Sequence, residues 1–79
     1  MKIQVLGSGC RKCAELFQNA EAAVEELELN VHVEKVEDPD AINDMGVLIV
    51  PALVIDGEVR TKGKVLSVDE IVEMLEAQT

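Results

Sequence analysis

Cys10 and Cys13 are the only two cysteines of the chain, and they stand three positions apart in the run Gly7-Ser8-Gly9-Cys10-Arg11-Lys12-Cys13. That run follows a short apolar stretch, Ile3-Gln4-Val5-Leu6, and opens a long helical pattern. Positions i and i+3 share one face of a helix's first turn. The α-carbons of such a pair lie within the span of a disulfide. The same two groups can also stand open as thiols, so the pair can cycle between two redox states. A first helical turn leaves backbone N–H groups unpaired and carries partial positive charge. Both favour a thiolate, and such a setting lowers a thiol that ordinarily titrates near ~8.5. Arg11 and Lys12 add positive charge beside it. Cys10 is therefore the expected nucleophile at the helix tip. Cys13, one turn in, is the expected resolving thiol.

Other uses of two cysteines fit less well. A structural disulfide across so short a loop adds little stability, because the entropic gain grows with loop length. Zinc takes four ligands of N, S or O type, and the chain offers two Cys and one His. His32 falls in a separate β-like run and reads as a solvent-facing strand residue. Two cysteines alone could serve a soft ion such as Cu(I), so a soft-metal carrier for copper or zinc stays as an alternative. The expectation is no metal.

Composition bounds the rest. With 79 residues, 48% of them apolar, the chain is expected to form one domain over residues 1–79. One Phe and no Tyr or Trp require an aliphatic core. Sixteen acids against seven bases give a net charge of −9. Such a balance disfavours nucleic acid and anionic membranes as partners. No run approaches the ~18 apolar residues of a membrane helix, and residues 1–6 are too short for a signal core. A cytoplasmic location is expected. There, a Cys-x-x-Cys near a βαβ pattern points to redox work.

The elements that must carry the pair can be read in order. Residues 2–6 form a strand with apolar side chains on both faces, as in a sheet interior. Residues 11 to about 28 form a helix whose apolar stripe is Cys13, Leu16, Phe17, Ala20, Val24 and Leu27. Asn30 can take a left-handed turn after it. Residues 31–36 alternate as a half-buried or edge strand, parallel to the first across the helical crossover. Asp38-Pro39 caps and opens a short helix ending at Gly46. A proline inside the apolar run 47–55 belongs at a strand's first residue, so the third strand begins at Pro51 or Ala52 and residues 47–50 approach it. Asp56-Gly57 marks a hairpin leading to an antiparallel strand over 58–61. Gly63 breaks that strand. Ser67 and Glu70 form a capping box for a last helix reaching about residue 77.

The order βαβαββα, with Gly9-Cys10-Arg11-Lys12-Cys13 opening the first helix, Val50-Pro51 opening the third strand, the Asp56-Gly57 hairpin and Gly63 after the fourth strand, resembles the thioredoxin fold in its minimal, glutaredoxin-sized form. It looks most like the small thioredoxin-like redox-active disulfide proteins of archaea and bacteria. The resemblance implies an α/β fold with a four-stranded mixed sheet flanked by three helices, and a thiol–disulfide oxidoreductase. Cys10 would attack a substrate disulfide and Cys13 would resolve the mixed disulfide. The family's proline at the position of Pro51 is cis and faces the cysteines, and the backbone of the preceding residue, here Val50, pairs with the substrate. Gly63 belongs to the same substrate-binding set. The implied partners are protein disulfides and a disulfide reductase as electron donor, with no cofactor beyond the Cys10–Cys13 pair.

The chain departs from the family's best-known members in three places. Arg11-Lys12 stands between the cysteines where thioredoxins carry Gly-Pro and glutaredoxins Pro-Tyr. Gly9, not tryptophan, precedes Cys10, and the first strand has Gln4 and no carboxylate. The glutathione-holding Gly-Gly-Cys-Asp segment of glutaredoxins is replaced by Lys62-Gly63-Lys64-Val65-Leu66-Ser67, which disfavours glutathione as a partner. The turn after the fourth strand lies near the cysteines in this fold. Lys62 and Lys64 could then join Arg11 and Lys12 in a basic rim that tunes the Cys10 thiol. Heavy-metal-associated domains also place a Cys-x-x-Cys after the first strand, but they end on a strand, whereas this chain ends on a capped helix. A non-catalytic adaptor on the same fold is the other alternative. A monomer is expected, because the assigned helices leave no long exposed apolar face.

Overall fold

Lys2's carbonyl and N–H hold the Asp56 turn, through Asp56 N–H at 2.7 Å and the Asp56 carboxylate at 2.8 Å, and this fixes the register of the central strands. Between them run β1 (Ile3–Leu6) and β3 (Ala52–Ile55), antiparallel, with Ile3 opposite Ile55 and Leu6 opposite Ala52. Every residue of both strands is buried. β2 (Val33–Val36) pairs parallel to β1, and β4 (Glu58–Lys62) pairs antiparallel to β3. The sheet order is β2-β1-β3-β4, with the two fully buried strands in the middle and the partly exposed ones at the edges. The computed structural model describes residues 1–7 and 10–78. Ser8 and Gly9, the rest of the expected turn before Cys10, lie outside the described residues.

Side chains alternate across the sheet, and each face has its own core. Ile3 and Val5 of β1 with Leu53 and Ile55 of β3 face α1 (Arg11–Glu26) and α3 (Val68–Gln78), where Leu16, Ala20, Val24, Ile71 and Leu75 close over them. Leu6, Ala52 and Val54 face the other way, against Ile42 of α2 (Pro39–Asp44) and Val47. The result is a three-layer α/β structure with a four-stranded mixed sheet and three helices, the minimal thioredoxin fold. Asn19 Nδ2 of α1 donates to the Leu66 carbonyl at 2.8 Å, tying α1 to the approach of α3.

The ends of elements differ from expectation in a few places. The residue in the left-handed region after α1 is Glu28 (φ 53°), not Asn30. Glu28 N–H donates to Glu25 O and Leu29 N–H to Val24 O, a Schellman arrangement that stops the helix two residues early. Leu29 packs against the core at that point, which fixes the stop. β2 begins at Val33 rather than Val31, where pairing with β1 starts at Ile3. β4 extends one residue further, to Lys62, opposite Ala52. Asp38 caps α2, its carboxylate accepting from Asp40 N–H at 3.0 Å. Ser67 and Glu70 cap α3 reciprocally at 3.1 Å each way. Asp56 and Gly57 both take positive φ, as a type I′ hairpin requires.

The approach to β3 is apolar and uncovered. Leu48, Ile49 and Val50 are exposed at 85%, 62% and 39%, so an apolar strip does remain outside the core. The backbone here leaves the turn after α2 and enters β3 without joining a strand, so its side chains have no layer to pack under.

Candidate active site

Cys10 is the N-cap of α1, with extended backbone (φ −124°, ψ 149°). Its carbonyl accepts from Ala14 N–H at 3.2 Å and its Sγ accepts from Cys13 N–H at 3.1 Å. Sulfur thus takes the place that a Ser or Asp oxygen usually fills at a helix start. Cys10 and Cys13 are joined as a disulfide with α-carbons 5.2 Å apart. Cys10 is partly exposed, whereas Cys13 is 2% exposed.

The electrostatics of α1 concentrate positive character at this end. Its first turn holds no acid and presents the exposed Arg11 and Lys12, while its last turn holds no base and carries Glu25 and Glu26. A helix macrodipole prefers the opposite placement at both ends, each charge contributing about 0.3–1 kcal/mol. The chain forgoes that stabilisation and places two cations beside the sulfur at the helix tip.

Three further segments form a chain of contacts that starts at the disulfide. Gly7 ends β1 with its N–H donating to the Val36 carbonyl at 2.9 Å and its φ at +143°. A Cβ at Gly7 would fall 2.5 Å from Cys13 Sγ and 3.3 Å from Val50 Cβ. Only glycine lets the strand end, the inner sulfur and the loop before β3 come so close. The Val50–Pro51 peptide bond is cis. Gly63 follows β4 at φ +67°, donates its N–H to the Pro51 carbonyl at 2.7 Å, and has space for no Cβ against Ile49 Cγ2. The segment 49–51 is therefore seated between two glycines, with Val50 toward Gly7 and Ile49 toward Gly63. Reading the sequence treats Gly7 only as a turn residue and residues 48–49 only as a loop. Their one sequence signal is an apolar run that continues up to a proline without alternation.

Lys62 and Lys64 flank Gly63 and are exposed. Lys64 also acts on Glu70. Hydrogen bonds from the Ser67 backbone and then its hydroxyl hold the Glu70 carboxyl below its ordinary value, and the Lys64 charge adds in the same direction. On β1, Gln4 is nearly buried and donates to the Glu34 carboxylate of β2 at 3.3 Å. Among the described residues no group of three or more His, Cys, Asp or Glu side chains is arranged to hold a metal ion. None of the described helices is long and apolar enough to cross a membrane.

A partly exposed sulfur at a helix N-terminus, bonded to a buried one a turn away, is the arrangement that thiol–disulfide exchange requires. The comparisons with known proteins agree. A family model described as a thioredoxin domain matches residues 1–76. A thioredoxin of Methanothermobacter thermautotrophicus is 41% identical over 75 residues, covering 95% of this chain and 97% of that protein. A thioredoxin of Methanocaldococcus jannaschii is 36% identical over 75 residues, covering 95% of this chain and 86% of that protein. The chain belongs to the thioredoxin family and is a thiol–disulfide oxidoreductase whose redox pair is Cys10 and Cys13.

Proposed function

We propose that the protein reduces disulfides of partner proteins, with Cys10 as the attacking thiolate and Cys13 as the resolving thiol. The observation that carries this is the contrast between them: Cys10 is reachable at the helix tip and its sulfur accepts a backbone N–H, while Cys13 is enclosed. In the reduced protein, Cys10 Sγ attacks one sulfur of the partner disulfide. A mixed disulfide forms and the partner's other sulfur leaves as a thiolate. Cys13, losing its proton, then attacks Cys10 Sγ, forming the Cys10–Cys13 bond and releasing the partner's second thiol. The partner gains two electrons and the pair loses two, which a disulfide reductase restores. The cytoplasm, where such a donor operates, is the compartment this cycle suits. Glutathione is disfavoured as that donor, and the chemistry needs no cofactor or metal beyond the pair.

Val50 and Pro51 are assigned to substrate binding. Among the described residues, no backbone hydrogen bond involves residues 48–50, which leaves the Val50 peptide groups open to an extended partner segment. Gly63 supports this loop through its bond to Pro51. Arg11, Lys12 and Lys64 are assigned to tuning the Cys10 thiol, and an unchanged Cys10 pKa in both Lys12→Ala and Lys64→Ala would remove the rim from this account.

The deciding measurement is a redox titration of the metal-free pair, read by thiol alkylation and mass. A single two-electron transition between about −180 and −270 mV is expected, the range of catalytic dithiols. A pair that never forms the intramolecular bond would instead support the metal-carrier alternative. In cells or extracts, Cys13→Ser is expected to trap mixed disulfides and Cys10→Ser to trap none. A Cys10→Ser variant that kept full activity would favour the adaptor.

A further inference from the structure

The outer strand β4 and the last helix frame a cleft that the redox chemistry does not use. Its volume is about 430 Å³, and none of its lining residues belongs to residues 7–13 or 47–51. β4 forms one wall through an irregularity in its pairing. Val59 lies opposite Val54 and Thr61 opposite Leu53, so Arg60 is the extra residue of a bulge. In a regular strand neighbouring side chains point to opposite faces. Here Arg60 and Thr61 both line the cleft. Arg60 is half-buried, and its guanidinium takes part in no ion pair or hydrogen bond among the described residues. Thr61 Oγ1 is the one buried side-chain oxygen or nitrogen among them without a hydrogen-bond partner. Buried hydroxyls are normally paired, so this wall holds two polar groups whose partners the chain does not supply. Leu66, Met74 and Ala77 give the cleft its apolar surface.

We infer that this cleft docks a segment of a partner protein in which a single acidic residue is flanked by aliphatic ones, with the partner's carboxylate on Arg60. A guanidinium offers paired N–H donors that match a carboxylate, and the Thr61 hydroxyl beside it in the chain is a further donor. Lys64 is already opposed by Glu70, whose carboxylate accepts from Ser67 N–H at 3.1 Å and is acted on by the Lys64 charge. Glu73 stands exposed on the α3 wall. Uncompensated positive charge in the cleft therefore rests on Arg60, and the two acids would repel a dianion such as phosphate. The apolar surface favours aliphatic neighbours, which lose contact with water on entering. The cleft is open to solvent, so a side chain held by its own backbone suits it better than a free small molecule, which needs enclosure. The contact lies off the redox surface and does not depend on turnover of the cysteine pair, so it goes beyond the oxidoreductase reading.

The test titrates two blocked tripeptides, acetyl-Leu-Glu-Leu-amide and acetyl-Leu-Gln-Leu-amide, into the oxidised protein and follows its backbone amides by NMR. Saturable shifts are expected at Thr61, Lys64, Met74 and their neighbours, with little change at Arg11 and Lys12. The Glu peptide is expected to bind at least about threefold tighter than the Gln peptide, a ratio that one partly exposed ion pair supplies. Added salt should bring the two affinities together. Arg60→Gln should reduce the ratio to about one, the loss of that pair. No saturable shifts in wild type, equal affinities for the two peptides, a ratio that survives Arg60→Gln, or shifts centred on Arg11 and Lys12 would each overturn the inference. So would acetate that saturates the same amides as tightly as the Glu peptide, which leaves a bare anion site. Cleft amides that move with protein concentration alone would overturn it too, since a second copy would then be the occupant. The wild-type comparison of the two peptides decides the matter even if Arg60→Gln fails to fold.

Discussion

Gly7 shows how one missing carbon shapes the site. Its φ of +143° and the 2.5 Å approach of Cys13 Sγ leave no room for a side chain. Gly7→Ala is expected to cost at least about 1–3 kcal/mol from backbone strain alone, measured as a lower denaturation midpoint. It should also slow reduction of a small disulfide, because relief of the collision moves either Cys13 or the Val50 loop. Lys12 carries the opposite lesson. Lys12→Glu places an acid in the first turn of α1, which the macrodipole favours, so the oxidised protein is expected to gain about 0.3–1 kcal/mol. The same change raises the pKa of reduced Cys10, so the rate of its alkylation near pH 6 falls. A variant that gained stability with no change in that rate would separate Lys12 from the thiol. The cysteine pair was legible in the sequence because its spacing falls between a short apolar run and a long helical pattern, which together specify a helix tip. The role of Gly7 was not, because it depends on two segments, Cys13 and Val50, that meet it only in three dimensions.

At the scale of elements, local signals governed what could be read. The capping box at Ser67 and Glu70, the Asp38 cap and the Asp56-Gly57 hairpin all stand where their residue types place them. Ser67→Ala is expected to destabilise the protein by about 1 kcal/mol at neutral pH through the lost cap. Glu70 adds a pH dependence. Its folded pKa is depressed, so its contribution is present above the ordinary glutamate value and is lost as the pH falls through the folded one. The gap between wild type and Ser67→Ala should therefore narrow in acid, as thermal melts across that range would show. The end of α1 was less legible. Asn30 is the better left-handed residue by type, but the packing of the half-buried Leu29 against the core decides the matter and places Glu28 in that conformation. A left-handed L-residue costs roughly 1–2 kcal/mol, and Glu28 also puts a negative charge at the helix's negative end. Glu28→Gly is expected to stabilise the protein by about 0.5–1 kcal/mol after the glycine's own chain entropy is counted.

Across the whole molecule, the first strand could be placed in the interior because it is apolar on both faces, the second at an edge because residues 31–36 alternate, and the fourth because Asp56-Gly57 turns the chain back on the third. Residues 47–50 could be read as the approach to the third strand, but which of their side chains stay outside the core could not, since that depends on the backbone path. The two faces of the sheet are unequally covered. The α1 and α3 side holds the large cluster, while the α2 side rests on Leu6, Ile42, Val47, Ala52 and Val54 beneath a helix of six residues. That imbalance has a consequence for amide exchange. The N–H groups of Ile42, Gly46 and Val47, bonded to Asp38, Asn43 and Ile42, are held by the thin layer. They should exchange with solvent through a local opening, well before the amides of β3 and the core-facing turns of α1, which open only with global unfolding. Such an opening would dismantle one wall beside the disulfide while leaving the disulfide's own helix folded.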